Sequence, residues 1–530
     1  MRKEYLFVNL ISPLILANIT VMREKRRVLN FTNNIDSLVA AFTGAVFIFI
    51  LTHYHGVGIS PDSVSYYGTA RNLCEGKWLV DFDENALIIF PAGYPVFLGS
   101  ISMLSKIDVL ALAPFINALL VGIVIFIYGC IIERFYKSNR WYKLAILSII
   151  PISYTILDVY TMLWSETFFM ALLVFFIVFL RKYLSNPTLL NLMLPSIFTA
   201  IACDTRIAGI SILGTGILLI VLQYQIPFLK KALHLALYGC TSMVLLVANL
   251  LHNQAETGTF TGIRQPSTTP LLTNIQYFGD TLLQWFQLPN LPGAISITIG
   301  ITVILTLGIV FLIRFFWLKK QSAFETILLA FCLTYLFFIL ITSTISRYEK
   351  INNRLLSPAF IPLLLSISFY IPQLINKIKT KSLRIIPIGI VACLFLLLQY
   401  HQVKAARELQ VQYKESGIPG YTEQEWQESD MVQFIKFKKD YFQSDKPIYS
   451  NANDAVYFFN PALSAQDLPE PAHTVDLKDY HEANPNYIIW FTNDFDNKSI
   501  MRLEEIAKFR QLDTLVKLDD GLILWSSPKK

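Results

Sequence analysis

Apolar runs of about twenty residues recur along most of this 530-residue chain, and nothing else in it constrains the fold so strongly. A run of that length crosses the roughly 30 Å hydrocarbon core of a bilayer as one α-helix. Within hydrocarbon, every backbone N–H and C=O has to be satisfied inside the segment, so repeated runs demand helices. The runs fall near 35–54, 109–132, 143–158, 165–183, 189–204, 207–224, 232–252, 292–317, 323–343, 355–375 and 385–400. Only 15% of the residues are charged and 54% are hydrophobic, whereas a soluble domain carries about 25% charge. The expected fold is an α-helical polytopic membrane protein with about eleven transmembrane helices. The net charge of +6 sits largely in short loops between the runs, so it does not argue for a nucleic-acid partner.

Lysine and arginine concentrate on every second connection: Arg23 to Arg27, Arg134 to Lys143, Arg181/Lys182, Lys230/Lys231, Lys319/Lys320 and Lys377 to Arg384. By the positive-inside rule that side is cytoplasmic. The opposite connections, 55–108, 158–165, 204–207, 253–291 and 344–354, then face outward. The chain divides into an N-terminal segment (1–34), a transmembrane unit (35–400) and a polar tail (401–530). In the tail, a helical stretch near 423–443 and strand-like runs at Pro447–Tyr449, Tyr487–Phe491, Thr514–Leu518 and Leu522–Trp525 predict a small extracytoplasmic α/β domain. Asp520-Gly521 is a good hairpin turn between the last two strands. Residues 5–21 are apolar but interrupted by Pro13; a signal anchor, an interfacial or extra span, and a true start at Met22 all remain open. The six cysteines form no CxxC, and five lie in or beside apolar runs, which reads as small core residues rather than disulfides or zinc ligands.

The candidate chemistry lies on the outward connections. Ser60-Pro61-Asp62-Ser63 opens a helix, with Ser60 at the N-cap, Pro61 in the first helical position and Asp62 in the first turn. Asp62, Tyr66 and Thr69 share one face of it, and the segment is expected at the membrane interface. An acid there also simply complements the helix dipole. Phe90-Pro91-Ala92-Gly93-Tyr94-Pro95 predicts a second short helix in the same long loop. Asp158 and Glu166 bracket another outward loop, in which Ser165 is a candidate cap and Glu166 follows in the first turn. A carboxylate at the edge of hydrocarbon is costly and needs a partner or a polar cavity. Arg206, Arg264 and Arg354 lie on the same side. Each alone also fits a salt bridge or a lipid headgroup, but three opposite two acids favour a phosphate-bearing ligand. His53, His55 and His252 near span ends read as interfacial hydrogen-bonding residues. HExxH, Walker A and GxSxG motifs are absent from the sequence.

With these residues in order, the chain resembles the GT-C superfamily of integral-membrane glycosyltransferases, a group that includes the protein O-mannosyltransferases and the lipid A aminoarabinose transferase. The resemblance is carried by Pro61-Asp62-Ser63-Val64-Ser65-Tyr66-Tyr67, Phe90–Pro95, Ser165-Glu166-Thr167, Asp204-Thr205-Arg206-Ile207-Ala208-Gly209 and Arg354-Leu355-Leu356-Ser357-Pro358. The tail segments Ile448–Asn451 and Asp454–Tyr457 are similar to the outer domain of bacterial members. The sequence departs from better-known members in having one acid, not an Asp-Asp or Asp-Glu pair, in the first motif. The resemblance implies an inverting transferase in a bacterial plasma membrane that uses a polyprenyl-phosphate sugar donor and a glycan, lipid or protein acceptor. Asp62 would be the base, and Arg206 and Arg354 would stabilise the departing phosphate. Glu166 would position the acceptor or, with Asp62, hold a divalent cation, for which oxygen ligands suit magnesium or manganese. Tyr66, Asp158 and Arg264 would be further substrate contacts. A flippase or transporter would instead place charges inside the spans, and a non-catalytic scaffold would tolerate Asp62→Asn.

Overall fold

The computed structural model describes residues 34–135, 140–261, 265–289, 291–347, 349–380, 382–469, 474–492 and 500–529. The readings of residues 1–21, and Arg264, fall outside this set. Each apolar run of the sequence coincides with a helix or a helix pair. These are α1 (Ile35–Thr52), α4 (Val109–Phe135), α5 (Arg140–Ile149) with α6 (Tyr154–Tyr160), α7 (Ser165–Ser185), α8 (Leu189–Thr205), α9 (Gly209–Val221), α10 (Phe228–Thr257), α12 (Gly293–Leu312), α13 (Phe324–Ile345), α14 (Asn353–Asn376) and α15 (Ile385–Glu415). Among the described residues, eight helices are long and apolar enough to cross a bilayer. A ninth span results if the pair made by α5 and α6, bent by 41°, is one crossing, and α8 and α9 are shorter apolar helices. The chain is an integral membrane protein. Helices α4, α7, α13 and α14 are the most buried, while α10, α12 and α15 expose apolar side chains, the pattern of helices that face lipid.

Lipid tails are as apolar as leucine, so helix contacts in a membrane depend on close packing and polar pairing. A Cβ at Gly129 of α4 would meet Ser37 of α1 at 2.5 Å, so glycine lets these helices touch. At the same end of the bundle Lys143, expected in a solvated loop, is fully buried. Its Nζ donates to Asp36 Oδ1 (2.8 Å), Glu133 Oε2 (2.6 Å) and Asn34 Oδ1 (3.2 Å). Two carboxylates and an amide therefore replace the water that a basic loop residue would otherwise hold.

The loop after α1 holds the two predicted short helices, α2 (Pro61–Cys74) and α3 (Gly93–Ser105). The Ser60 backbone N–H donates to Ser63 Oγ at 3.1 Å, closing the turn that starts α2. Protein encloses α2 on most of its circumference, with nine of its fourteen residues buried. The connection after α10 contains an amphipathic helix that hydropathy did not reveal, α11 (Leu271–Trp285).

After Glu415 come α16 (Gln424–Glu428), α17 (Asp430–Phe437), α18 (Asn453–Phe459), α19 (Thr474–Glu482) and α20 (Leu503–Ile506), packed on a five-stranded sheet. Its strands are β1 (Ile448–Ser450), β2 (Ala465–Asp467), β3 (Asn486–Phe491), β4 (Arg510–Leu518) and β5 (Gly521–Pro528), in the order β2-β1-β3-β5-β4. β1 runs parallel to β2 and β3, and β5 runs antiparallel to both β3 and β4. Asp519-Asp520 turns the β4–β5 hairpin, pairing Leu518 with Gly521. Buried Arg510 ties the sheet to α19, donating to the carbonyl oxygens of Tyr480, Ala483, Asn484 and Ser526.

This tail braces α2. Tyr457 of α18 packs against Phe82 and Tyr67, at ring separations of 5.5 and 6.4 Å. The Tyr421 N–H donates to the Ile59 carbonyl at 2.8 Å, three residues before Asp62. The contact requires Gly420, whose φ is +101° and where a Cβ would meet Ile59 O at 2.0 Å. Gly420→Ala is expected to destabilise the protein by more than about 1 kcal/mol, read as a lower thermal unfolding midpoint in nanodiscs. An unchanged midpoint would mean that the brace contributes nothing.

Candidate active site

Four connections meet at the end of the bundle against which the tail packs, and they enclose a pocket of about 260 Å³. Asp62, Tyr66, Phe90, Ser165, Arg206 and Arg354 line it. Four helices begin there: α2 at Pro61, α7 at Ser165, α9 at Gly209 and α14 at Asn353. Each helix start brings the positive end of a helix dipole to this region, which favours an anion, although the N–H groups of Gly209, Ile210 and Ser211 are already paired with the carbonyls of Arg206, Ile207 and Ala208.

Glu166, in the first turn of α7, is completely buried. Its Oε1 accepts from Arg354 Nε at 2.8 Å, and its Oε2 lies 2.7 Å from Arg206 Nη1. Arg354 Nη2 reaches on to Asp62 Oδ2 at 2.5 Å, and Nη1 lies 3.9 Å from Glu349. The guanidinium also sits 4.3 Å from the centre of the Trp164 ring, whose Nε1 donates to Ser60 Oγ at 2.9 Å. Arg354 stands in the first turn of α14, where the dipole opposes a cation. The three carboxylates around it overcome that penalty. Arg206 ends α8, where a cation is favoured, and its Nη1 also donates to Ser165 Oγ at 2.8 Å.

Tyr66 is buried, its hydroxyl 3.2 Å from Ser165 Oγ and its ring edge-on to Phe90 and Tyr94. Burial, and next the charge of Asp62, push the phenol well above its ordinary pKa, so it remains a proton donor. Burial likewise raises the Glu349 carboxyl, against the pull of Arg354. Behind α2, Asp81 accepts a hydrogen bond from Ser65 Oγ, and burial raises its carboxyl to about 6.

The structure thus brings Asp62, Tyr66, Glu166, Arg206 and Arg354 together. Asp158 lies behind the pocket: Asn353 Nδ2 donates to its Oδ2 at 2.7 Å, and Asn353 Oδ1 accepts from Trp285 Nε1 at 2.9 Å. Asp158 therefore fixes the residue beside Arg354 and does not face the cavity. Ser165, expected as a cap, is the first residue of α7 and turns its hydroxyl to Arg206 and Tyr66. Arg347 and Glu349 line the pocket and Trp164 supports it, although the sequence reading did not single them out. Their signal was the charged run Arg347–Lys350 and an aromatic residue next to Ser165-Glu166.

A cation shared by Asp62 and Glu166 does not fit this arrangement. Both Glu166 oxygens are taken by guanidinium groups, and an added dication would lie among like charges. Among the described residues, no three His, Cys, Asp or Glu side chains cluster to hold a metal ion.

No protein-family model matches the chain, and no curated protein sequence matches it. Its fold is similar to those of two solved proteins, ArnT and AglB. ArnT from Cupriavidus metallidurans in the apo state superposes with a TM-score of 0.55 at 11% identity, covering 91% of this chain and 96% of ArnT. ArnT bound to undecaprenyl phosphate gives 0.54 over the same shares. The archaeal oligosaccharyltransferase AglB from Archaeoglobus fulgidus, in complex with an inhibitory peptide and a dolichol-phosphate, gives 0.50 at 12% identity. That match covers 88% of this chain and 70% of AglB. At such identities the likeness is one of fold.

Removing the charge of Glu166 leaves two arginines with reduced compensation in a dry site. Glu166→Gln is expected to destabilise the protein by roughly 3–5 kcal/mol. Asp62, with a side chain 31% exposed, tolerates Asp62→Asn within about 1 kcal/mol. Thermal unfolding of the reconstituted variants checks both; equal midpoints would deny Glu166 its central place.

Proposed function

We propose that the protein is a membrane glycosyltransferase that moves a sugar from a polyprenyl-phosphate donor to an acceptor hydroxyl. One observation carries this reading: two arginines anchored on buried Glu166 face a pocket at four helix starts, with a carboxylate, Asp62, on its rim. The shared fold supports the same reading, and so do the bound ligands of its structural neighbours, undecaprenyl phosphate in ArnT and dolichol-phosphate in AglB.

The donor lipid stays in hydrocarbon, and its phosphosugar enters the pocket past the apolar wall of Ile89, Phe90, Ile207 and Leu355. The phosphate oxygens accept hydrogen bonds from Arg206 and from the outer nitrogens of Arg354. That competition draws Arg354 away from Asp62 and frees the carboxylate to act as a base. Asp62 takes the proton of the acceptor hydroxyl as its oxygen attacks the anomeric carbon. The bond from that carbon to the phosphate oxygen breaks on the opposite face, so the configuration inverts. The electron pair leaves with the polyprenyl phosphate, where Arg206 and Arg354 stabilise the growing charge. Tyr66, held protonated, donates to an oxygen on the sugar or phosphate.

The arginines supply the positive charge, and no step calls on a divalent cation. We assign the site and the tail to the extracytoplasmic face of a bacterial plasma membrane, because the basic loops cluster at the opposite ends of the helices.

The test uses the reconstituted full chain, with undecaprenyl phosphate binding and glycan formation in the source cell as readouts. Asp62→Asn is expected to keep lipid-phosphate binding while glycan formation falls roughly 10²–10⁴-fold. Arg206→Ala is expected to weaken lipid-phosphate binding at least about tenfold. Full glycan formation by Asp62→Asn would remove it as the base, and unchanged binding by Arg206→Ala would remove the phosphate assignment.

A further inference from the structure

A second cavity, of about 890 Å³, lies on the other side of the segment that carries Arg354. Its size is near the upper end of small-ligand clefts, which run roughly 300–1,000 Å³. Glu349 and Arg354 face the phosphate pocket, while Lys350, Ile351 and Asn352 between them face the second cavity. Five residue steps, from Glu349 to Arg354, span at most roughly 17 Å of extended chain, so the two cavities adjoin across one stretch of backbone.

Two helices give this cavity its chemistry. On α11, Gln276, Asp280 and Gln284 recur at i, i+4 and i+8 and form one polar stripe, while Phe278, Leu282 and Trp285 on the other faces are buried. On α15, His401, Lys404 and Glu408 form the facing wall. Charge cancels here. Asp280 and Glu408 stand against Lys350 and Lys404, Lys404 lies 3.7 Å from Glu408, and Lys350 lies over the Tyr277 ring at 4.5 Å. The remaining polar lining is uncharged or near-neutral: the amides of Gln276, Gln284, Gln287 and Asn352, with Tyr277, Thr281 and His401. Asn352 Oδ1 already accepts from the Leu355 N–H, and Gln287 Nε2 donates to the Gln284 carbonyl. A primary amide offers both donors and acceptors, the complement of a hydroxyl pair, and has no preference for an ion. A phosphate ligand would call for the arginines that only the first pocket has.

We propose that this cavity binds the acceptor and that the acceptor is a neutral polyhydroxylated glycan. The assignment rests on the glycosyltransferase reading and adds the acceptor class to it. The glycan lies along the amide stripe of α11, with its terminal residue over 349–352, so that one hydroxyl reaches the Asp62 side. Asn353, held by Asp158 and Trp285, keeps that dividing stretch in place.

The experiment is saturation-transfer NMR on the full chain in nanodiscs with neutral oligosaccharide fragments of glucan, mannan, galactan and chitin. Binding of undecaprenyl phosphate is measured on the same samples. At least one fragment is expected to bind saturably. Asp280→Ala/Gln284→Ala is expected to weaken it at least tenfold while undecaprenyl phosphate binding stays unchanged, which also reports intact folding. Gln287→Ala, outside the helix, is a second variant expected to weaken fragment binding. Arg206→Ala is expected to keep fragment binding. The proposal is overturned if no fragment binds the wild type, or if the double variant and Gln287→Ala both bind it as the wild type does. Fragment binding without undecaprenyl phosphate binding in the wild type would refute the lipid-donor reading and leave the cavity assignment standing.

Discussion

A carboxylate with no access to water, gripped by two guanidinium groups, sets the terms for one whole end of this molecule. Glu166 cannot be buried as an anion without Arg206 and Arg354. Arg354 in turn stands where its own helix dipole repels it, and it depends on Glu166 and Asp62 to stay. The three elements that supply these groups, the start of α7, the end of α8 and the start of α14, are therefore locked together by charge. Each guanidinium still presents nitrogens to the pocket, so the lock that holds the fold also presents a preorganised anion site.

The remaining architecture follows from keeping Asp62 close to that lock while leaving it partly exposed. Helix α2 carries Asp62 on its first turn and is enclosed by α3 and by the tail. The contact of Gly420 and Tyr421 with Ile59 fixes the residues just before the helix. At rest Asp62 is ion-paired with Arg354. On the proposed mechanism, a phosphate that competes for Arg354 would release Asp62 from that pair.

Much of this was legible in the sequence, for one physical reason: polar groups near hydrocarbon are costly and stand out against apolar runs. That made the spans, Asp62, Glu166, Arg206 and Arg354 readable, and the two Pro-containing segments gave α2 and α3. The pairings were not readable. Arg354 is 188 residues from Glu166 and 292 from Asp62, and hydropathy carries no information about which ends of helices meet. The same limit hid the retreat of Asp158 behind Asn353 and the turn of Ser165 away from a capping role. Helix α11 escaped because half its surface is polar, so it looks like a loop to any search for spans. Lys143 was read as a loop charge because its three oxygen partners lie on other segments or a turn away.

The most direct measurement is a cryo-EM structure of the full chain in a nanodisc with undecaprenyl phosphate bound. The account predicts the phosphate between Arg206 and Arg354, Glu166 still holding both arginines, and Asp62 separated from Arg354 and open to the cavity. Phosphate bound elsewhere, with the Asp62–Arg354 pair intact, would contradict it.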